Sequence, residues 1–278
     1  MIRAFITGWP VAHSRSPLIH SHWLEQYGIE GEYRREAVAP ADFATFLRGI
    51  GEAGYRGGNV TLPHKEEAFR LVDETDEVAR AVGAINTVWL EDRKIFGTNT
   101  DVAGFLANLD AEAPAWDKAA AHALVLGAGG AARGIVYGLL SRGVETVTVA
   151  NRTLDKAEHV AAAMGKSVRA IGLNDVAMTL PGVDLLVNTT SLGMVGQPPL
   201  DLALDGLKSS AVVADAVYVP LETELLRRSR DRGHRVVGGL GMLLHQAVPG
   251  FERWFGQRPT VTADLTTLIE ADVRRSYP

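Results

Sequence analysis

An unusually placed lysine lies in the stretch RGGNVTLPHKEEAF, residues 56–69. The stretch predicts a strand over residues 59–61 and then a helix, because Pro63 keeps the preceding residue extended and suits the first helical position. Lys65 would be the third residue of that helix, where the dipole favours the two following glutamates and disfavours a cation. A solvated surface lysine would tolerate this at roughly a few tenths of a kcal/mol. The alternative is a lysine whose weakened charge serves proton transfer.

A second candidate site is the glycine signature Gly127-x-Gly129-x-x-Ala132, which follows an apolar strand and opens a helix. Gly127 permits a tight turn, Gly129 lets the backbone approach a pyrophosphate, and Ala132 allows close packing of helix on strand. A glycine-rich turn without a ligand is a poor explanation in this setting. The predicted phosphate-binding residues are Gly127, Ala128, Gly129, Gly130 and Ala131.

The end of the next strand distinguishes the two nicotinamide dinucleotides. An NAD site usually places an acidic residue there to bind the ribose 2′-hydroxyl. This chain has Asn151-Arg152-Thr153 instead, with Lys156 one turn later. Arg152 can contact a 2′-phosphate through its planar guanidinium, and Lys156 adds charge. Thr153 can also be the N-cap of the following helix. We therefore expect NADP rather than NAD.

The elements that must position these residues begin with alternating strands and helices. Strands are predicted at IRAFITG, EYRREAVA and GGNVTL, and a hairpin joins AINTVWL to KIFGTN around Asp92-Arg93. Ser16 is predicted as the N-cap of the first helix, which Gly28 ends. The apolar stripes of the first two helices are Ile19, Trp23 and Tyr27, then Phe43, Phe46, Leu47 and Ile50.

From residue 100 onward the pattern changes. Thr100 is predicted to cap a helix, and the segment DAEAPAWDKAA, residues 110–120, is predicted to be a loop between domains. A strand–glycine turn–helix–strand unit follows, with further strands at VDLLVNTT, AVVADAVY and HRVVGG. Alternating strands and helices indicate a parallel sheet covered on both faces. The fold class is therefore α/β, with a Rossmann-like dinucleotide-binding domain in the second half.

Composition excludes several classes of protein. With 278 residues, two domains are the natural expectation. The net charge of −5 has no basic block behind it, so nucleic acid is not expected as a partner. The absence of cysteine excludes disulfides and thiolate chemistry. No apolar run reaches the length of a membrane span and no signal peptide is evident, so we expect a cytoplasmic protein.

The eight histidines show no spacing typical of metal ligands. His20 and His22 would point to different faces of a helix, and His13, His64 and His245 are far apart in sequence. No metal is expected.

Eight motifs in order along the chain resemble the shikimate dehydrogenase family. They are HSRSP (13–17), NVTLPHK (59–65), GAINTV (83–88), NTD (99–101), GAGGAAR (127–133), NRT (151–153), NTTSLGM (188–194) and GLGMLLHQ (239–246). The resemblance implies reversible hydride transfer between NADPH and the C3 carbonyl of 3-dehydroshikimate, a step of aromatic amino-acid and chorismate biosynthesis. It also implies a small-molecule substrate and a monomer or homodimer.

The resemblance also implies residue roles and domain limits. Ser14 and Ser16, with Tyr218, would bind the substrate carboxylate. The ring hydroxyls and the reacting oxygen would be bound by Thr61, Lys65, Asn86, Asp101 and Gln246. Gly239 and Ala216, where many relatives carry methionine, would lie beside the nicotinamide. The implied domains are 1–103 for substrate, with 241–278 packing back on it, and 104–240 for NADP.

The physical arguments agree with these roles in part. A helix start with two hydroxyls suits an anion, although Ser16 is equally well explained as an N-cap. Asn86 is unusual inside a strand, and Gln246 lies on an apolar helix face, where a buried, merely satisfied amide is the alternative. Lys65 is explained as the acid–base group, oriented by Asp101. Pro249-Gly250 should kink or break the C-terminal helix after Gln246.

Two other functions remain open at this point. One is a paralogue that also oxidises quinate or uses NAD. The other is a catalytically silent NADP-binding regulator, which would be expected to have lost the Lys65–Asp101 pair.

Overall fold

The computed structural model describes residues 1–277, which form two compact units. The first consists of Met1–Asp101 and Leu244–Ile269, and the second of Val102–Leu243 with residues 270–277. The sequence-based limits had placed all of 241–278 with the first domain, so the two assignments differ at both ends of this segment. No helix within residues 1–277 has the length and apolar character needed to cross a membrane.

The first unit is built on a mixed six-stranded sheet in the order β2-β1-β3-β5-β6-β4. Its strands are β1 (Ile2–Gly8), β2 (Gly31–Ala37), β3 (Gly57–Val60), β4 (Glu74–Thr75), β5 (Thr87–Glu91) and β6 (Lys94–Thr98). Its helices are α1 (Ser16–Gln26), α2 (Phe43–Gly49), α3 (Lys65–Leu71) and α4 (Glu77–Val82). Strand β1 runs parallel to β2 and β3, whereas β5 is antiparallel to β3 and β6.

The predicted hairpin is confirmed. Asp92 and Arg93 both have positive φ, 48° and 65°, as a two-residue turn that matches strand twist requires. The hairpin matters for the site because it brings the start of β5 beside the end of β6.

The second unit contains six parallel strands in the order β12-β11-β10-β7-β8-β9. They are β7 (His122–Leu126), β8 (Thr146–Asn151), β9 (Val168–Gly172), β10 (Leu185–Asn188), β11 (Val212–Asp215) and β12 (Arg235–Val237). Helices α5 (Thr100–Glu112), α6 (Trp116–Ala119), α7 (Gly130–Ser141), α8 (Leu154–Met164), α9 (Val176–Thr179) and α10 (Glu224–Asp231) accompany them. This strand order is that of a Rossmann dinucleotide-binding sheet. Strands β4 and β9 were not predicted from the sequence.

The expected interdomain loop at residues 110–120 is wrong. Trp116 is 3% exposed, opens α6, and donates from Nε1 to Asp110 Oδ1 at 2.9 Å. Arg142 bridges Asp110 and Asp117, which ties the segment to the end of α7. The segment is therefore part of the second unit, because burying the indole outweighs the loop-like composition around it.

Two long helices close the chain, α11 (Gly239–Phe255) and α12 (Ala263–Ser276). Of the kink or break expected at Pro249-Gly250, the break is wrong, since α11 continues through Pro249. Burial holds the helix together beyond the proline: Phe251 is fully buried, and Trp254 Nε1 donates to the Val88 carbonyl at 2.9 Å. Gly250 leaves room for the Trp254 ring, which an added Cβ would approach to 2.7 Å.

Candidate active site

Lys65 forms an ion pair and is not a solvated surface lysine. Its Nζ donates to Asp101 Oδ2 at 2.6 Å, and the two side chains are only 27% and 22% exposed. The prediction that Lys65 is the third helical residue is wrong, because α3 begins at Lys65 and His64 occupies the N-cap position. The Lys65 carbonyl accepts from Ile85 N at 2.9 Å, which anchors the start of α3 beside Asn86. Asn86 was predicted inside a strand but lies just before β5, which begins at Thr87.

Asp101 enters the site from the first turn of α5. Its backbone N–H donates to Asn99 Oδ1 at 3.1 Å, so Asn99, and not Thr100, supplies the side-chain acceptor at the start of this helix. Thr100 is instead the first residue of the helix. The Asp101 carboxylate accepts from two different side chains, Lys65 on Oδ2 and Asn86 Nδ2 on Oδ1 at 2.8 Å. This fixes the carboxylate relative to the lysine.

Asn86 is the centre of the cluster and is 3% exposed. Its Oδ1 accepts from Thr100 N at 2.7 Å, and its Nδ2 donates to Asp101. Gln246, 8% exposed on α11, presents Oε1 to Asn86 Nδ2 at 3.5 Å and to Thr100 Oγ1 at 3.4 Å. The structure thus brings together four of the predicted site residues, Lys65, Asn86, Asp101 and Gln246.

Ser14, and not Ser16, makes the structural contact at the start of α1. Ser16 is the first helical residue of α1, and the N-cap position belongs to Arg15, so Ser16 as N-cap is wrong. Ser14 Oγ accepts the Ser16 N–H at 3.3 Å and so carries the local structural contact. Thr61 follows β3 half-buried, and its hydroxyl has no hydrogen-bond partner among the described residues.

Sequence reasoning missed the polar residues that support Asn86. Asn59 and Thr87 are 3% and 0% exposed, and Tyr33 donates to Asn59 Oδ1 at 2.5 Å. Burial raises the pKa of Tyr33 well above its ordinary value, and hydrogen bonds with Ser16 and Asn59 oppose that shift. The signal was present for Asn59, because an asparagine inside a strand is as unusual there as at position 86.

In the second unit, the glycine loop has the geometry of a phosphate cradle. Gly127 has φ of +106°, and a Cβ there would lie 2.6 Å from Thr189 Oγ1, so only glycine fits. By contrast, a Cβ on Gly129 or Gly130 would meet no heavy atom within 4 Å. Open space therefore adjoins the start of α7, whose first N–H groups and dipole favour an anion. These residues fit a pyrophosphate.

The end of β8 carries cations without an acidic partner. Arg152 and Lys156 are exposed, and their side chains form no hydrogen bond or ion pair among residues 1–277. Thr153 is at the N-cap position of α8 as predicted, but its hydroxyl makes no capping bond; Asn151 Nδ2 donates to the Thr153 carbonyl at 2.8 Å. Two unpaired cations beside the glycine loop fit a 2′-phosphate.

A buried carboxylate, Asp215, organises the loops at the neighbouring strand ends. Its Oδ1 accepts from Asn188 Nδ2 at 2.9 Å and from Val217 N at 3.0 Å, and its Oδ2 accepts from Thr223 Oγ1 at 2.7 Å. Burial raises the pKa of Asp215 to about 6. The loop it holds carries Tyr218.

Gly239 and Ala216 are adjacent in the second unit. A Cβ on Gly239 would lie 2.4 Å from the Ala216 carbonyl oxygen, so the backbones could not approach with any other residue at position 239. Tyr218 follows, half-buried. Among residues 1–277 no group of three or more His, Asp or Glu side chains is arranged to hold a metal ion.

A Rossmann sheet with an open glycine loop, and an α/β unit with a lysine–aspartate pair in a polar cluster, define a nicotinamide-dependent oxidoreductase. The chain belongs to the shikimate dehydrogenase family. Three family models match it in order: the shikimate dehydrogenase substrate binding domain at residues 6–88, shikimate/quinate 5-dehydrogenase at 111–194, and the shikimate 5′-dehydrogenase C-terminal domain at 239–267.

Individual relatives are similar to this chain over almost its full length. The NADP(+) shikimate dehydrogenase of Azorhizobium caulinodans is 58% identical over 98% of this chain and 97% of its own. The Thermus thermophilus shikimate 5-dehydrogenase solved with NADP(H) and shikimate has a TM-score of 0.84 and 35% identity, covering 99% of this chain and 100% of that one. The Corynebacterium glutamicum quinate dehydrogenase solved with NAD has a TM-score of 0.90 and 29% identity, covering 97% and 99%.

Proposed function

We propose that this protein catalyses the reversible NADPH-dependent reduction of 3-dehydroshikimate to shikimate. The observation that carries the proposal is the ion pair between Lys65 Nζ and Asp101 Oδ2, held at 2.6 Å within the Asn86 cluster. The pair occurs in a chain 58% identical to an NADP(+) shikimate dehydrogenase. A silent NADP-binding regulator would have no use for such a pair.

The chemistry needs one hydride and one proton. Bound NADPH supplies the hydride to the carbonyl carbon. The Lys65 ammonium donates a proton to the oxygen as negative charge develops there, and in the reverse direction the neutral amine accepts the hydroxyl proton. Asp101 holds the amine in place and stabilises the ammonium. Asn86 holds Asp101, Gln246 contacts Asn86, and both amides would offer polar contacts to the ring hydroxyls.

The remaining contacts follow from charge and hydrogen-bonding capacity. Ser14 and Ser16, at the start of α1, would bind the substrate carboxylate together with Tyr218, and the unpartnered hydroxyl of Thr61 would bind a ring hydroxyl. In the second unit, the 127–131 loop would hold the pyrophosphate, and Asn151, Arg152, Thr153 and Lys156 would surround the 2′-phosphate. Ala216 and Gly239 would line the nicotinamide. The domain limits stay a prediction: residues 1–103 with 241–278 for the substrate domain, and residues 104–240 for the NADP domain. A cytoplasmic location and a monomeric or homodimeric state are also predictions.

The test is turnover of purified protein with shikimate or quinate, each with NADP and with NAD, followed by the absorbance of the reduced cofactor. We expect shikimate with NADP to give by far the highest kcat/KM, with production of 3-dehydroshikimate. Higher kcat/KM with quinate, or with NAD, would assign the protein to the quinate branch of the family. Absence of turnover in all four combinations, with NADP still bound, would favour the regulator.

A further inference from the structure

A line of buried polar side chains lies behind the lysine–aspartate pair. It runs from Tyr33 through Asn59 and Thr87 to Asn86, and these four side chains are between 0% and 6% exposed. Tyr33 OH donates to Asn59 Oδ1 at 2.5 Å, and Asn59 Nδ2 lies 3.0 Å from Thr87 Oγ1. Thr87 Oγ1 in turn lies 3.0 Å from Asn86 Oδ1. The proposed mechanism gives no role to Tyr33, Asn59 or Thr87.

Backbone groups fix the direction of both amides in this line. Asn59 Nδ2 lies 3.1 Å from the Asn86 carbonyl oxygen, which can only accept, so the nitrogen of Asn59 must point there. Asn86 Oδ1 lies 2.7 Å from Thr100 N, which can only donate, so the oxygen of Asn86 must point to it. The amide nitrogen of Asn86 is then left facing Asp101 Oδ1.

The Thr87 hydroxyl connects the two amides. It accepts a hydrogen bond from Asn59 Nδ2, so its single proton is available for Asn86 Oδ1 at 3.0 Å or for Thr100 Oγ1 at 3.1 Å. Both acceptors belong to the cluster that holds Asp101. Donation thus runs in one direction, from the Tyr33 phenol to the Asp101 carboxylate, with Lys65 donating to the other carboxylate oxygen.

We propose that Thr87, supported by Tyr33 through Asn59, is a positioning residue that holds Asn86, and through it the Asp101–Lys65 pair, in the orientation needed for proton transfer. The proposal rests on the proposed function of Lys65. Thr87 is fully buried and acts through Asn86. The loss of its hydroxyl leaves one buried N–H of Asn59 without an acceptor and removes one donor from Asn86 Oδ1, which keeps the bond from Thr100 N.

The first experiment compares three variants, each of which changes a single buried threonine. Thr87→Val removes the hydroxyl and keeps the shape, and Thr87→Ser keeps the hydroxyl. Thr7→Val is the matched control, since Thr7 is 0% exposed in β1 and its Oγ1 has no hydrogen-bond partner among the described residues. We measure kcat, the KM for shikimate and for NADP, the pH profile of kcat, and the unfolding transition in urea.

We expect Thr87→Val to lower kcat by about three- to tenfold, the range of one ordinary hydrogen bond. The pH profile should shift, because the lysine–aspartate pair is less firmly held, and the KM for NADP should stay unchanged. Thr87→Ser should restore kcat and the profile, and Thr7→Val should match the wild type. If Lys65→Ala inactivates the enzyme but a folded Thr87→Val keeps the wild-type kcat and pH profile, the inference about Thr87 is overturned and the role of Lys65 is not. Near-normal kcat in Lys65→Ala would instead contradict the acid–base role of Lys65, on which the inference about Thr87 rests.

A second pair of variants tests the line as a unit, and the first of them, Tyr33→Phe, does not depend on the folding of Thr87→Val. Tyr33→Phe removes the phenolic donor at the far end, and because this hydroxyl also has a hydrogen bond with Ser16, the KM for shikimate is compared beside kcat. It should shift the pH profile in the same direction as Thr87→Val, with a smaller fall in kcat. The double variant should be no worse than Thr87→Val alone, since residues acting as a unit are not additive. A Tyr33→Phe enzyme with the wild-type kcat and pH profile, or strictly multiplicative effects in the double variant, would contradict the connection.

Discussion

His20 lies parallel to the ring of Tyr33, with centroids 4.1 Å apart and an interplanar angle of 19°. The histidine is fully buried, and neither ring nitrogen has a hydrogen-bond partner among the described residues. Burial lowers the pKa of His20 to about 3. A buried imidazole of this kind is held neutral by its apolar and aromatic surroundings.

This pair predicts acid destabilisation with a defined sign. Between pH 6.5 and about 3 the unfolded chain binds a proton at this histidine and the folded chain does not. The unfolding free energy therefore has its full value above pH 6.5 and falls as the pH decreases through this range. The expected slope is up to about 1.4 kcal/mol per pH unit. The variant His20→Phe should lose this component in urea unfolding measured across the window, whereas a variant of exposed His13 should keep it. An identical slope in His20→Phe would exclude the histidine as its source.

Asp215 predicts a pH dependence of opposite sign. Its folded pKa of about 6 lies above the ordinary aspartate value of 3.8, so the folded chain binds the extra proton between these values and stability falls as pH rises through them. Between pH 4 and 7, the unfolding free energy of Asp215→Asn should rise relative to that of the wild type by up to about 3 kcal/mol. A pH-independent cost of the substitution does not change this rise. Unfolding of both proteins across this range measures the difference, and a pH-independent difference would contradict the prediction.

Lys65→Ala should lower kcat by roughly 10²–10⁴-fold, the usual contribution of general acid–base catalysis. Asp101→Asn should also be severely impaired, and the double variant little worse than the worse single one. The KM for shikimate should change much less and NADP affinity hardly at all. Lys94→Ala is the matched control, because Lys94 pairs with Glu74 at 3.1 Å on the surface. Steady-state and single-turnover kinetics test this, and a Lys65→Ala enzyme as active as Lys94→Ala would rule out the acid–base role.

Arg152→Asp should shrink or reverse the preference for NADP, because it places an acid where a 2′-phosphate would lie and restores a partner for a ribose hydroxyl. The ratio of kcat/KM for the two cofactors is the measurement. Arg169→Asp, at an exposed arginine of β9, makes the same charge change and should leave the ratio unaltered. Equal use of both cofactors by the wild-type protein would refute the argument from Arg152.

Ser14→Ala with Ser16→Ala should raise the KM for shikimate far more than that for NADP, since each hydrogen bond to a charged group contributes roughly 1.5–3 kcal/mol. Because Ser14 Oγ also accepts the Ser16 N–H, the unfolding free energy must be measured beside the kinetics. A loss of stability with an unchanged shikimate KM would show that the hydroxyls serve only the start of α1.

Much of this protein follows from local sequence. The hairpin at Asp92-Arg93 and the strands around the glycine loop were predicted, because a turn, an apolar strand and a glycine backbone depend on neighbouring residues. The full-length order of motifs also indicated the family, which the comparisons confirm. Lys65 and Asp101 were matched through that resemblance, and the structure places them in contact.

Tertiary structure decided the helix starts and the connections between distant residues. Ser16, Lys65 and Thr100 each begin a helix one or more positions away from the predicted arrangement, because side chains such as Ser14 and Asn99 compete for the free N–H groups. Pro249 stays helical because Phe251 and Trp254 are buried beyond it. The line from Tyr33 to Asp101 joins four segments of chain, and its donors and acceptors acquire a direction only when β3, β5 and α5 meet. No local pattern contains that information, since a hydrogen bond between buried side chains depends on which backbones the whole fold brings within 3 Å or so of each other.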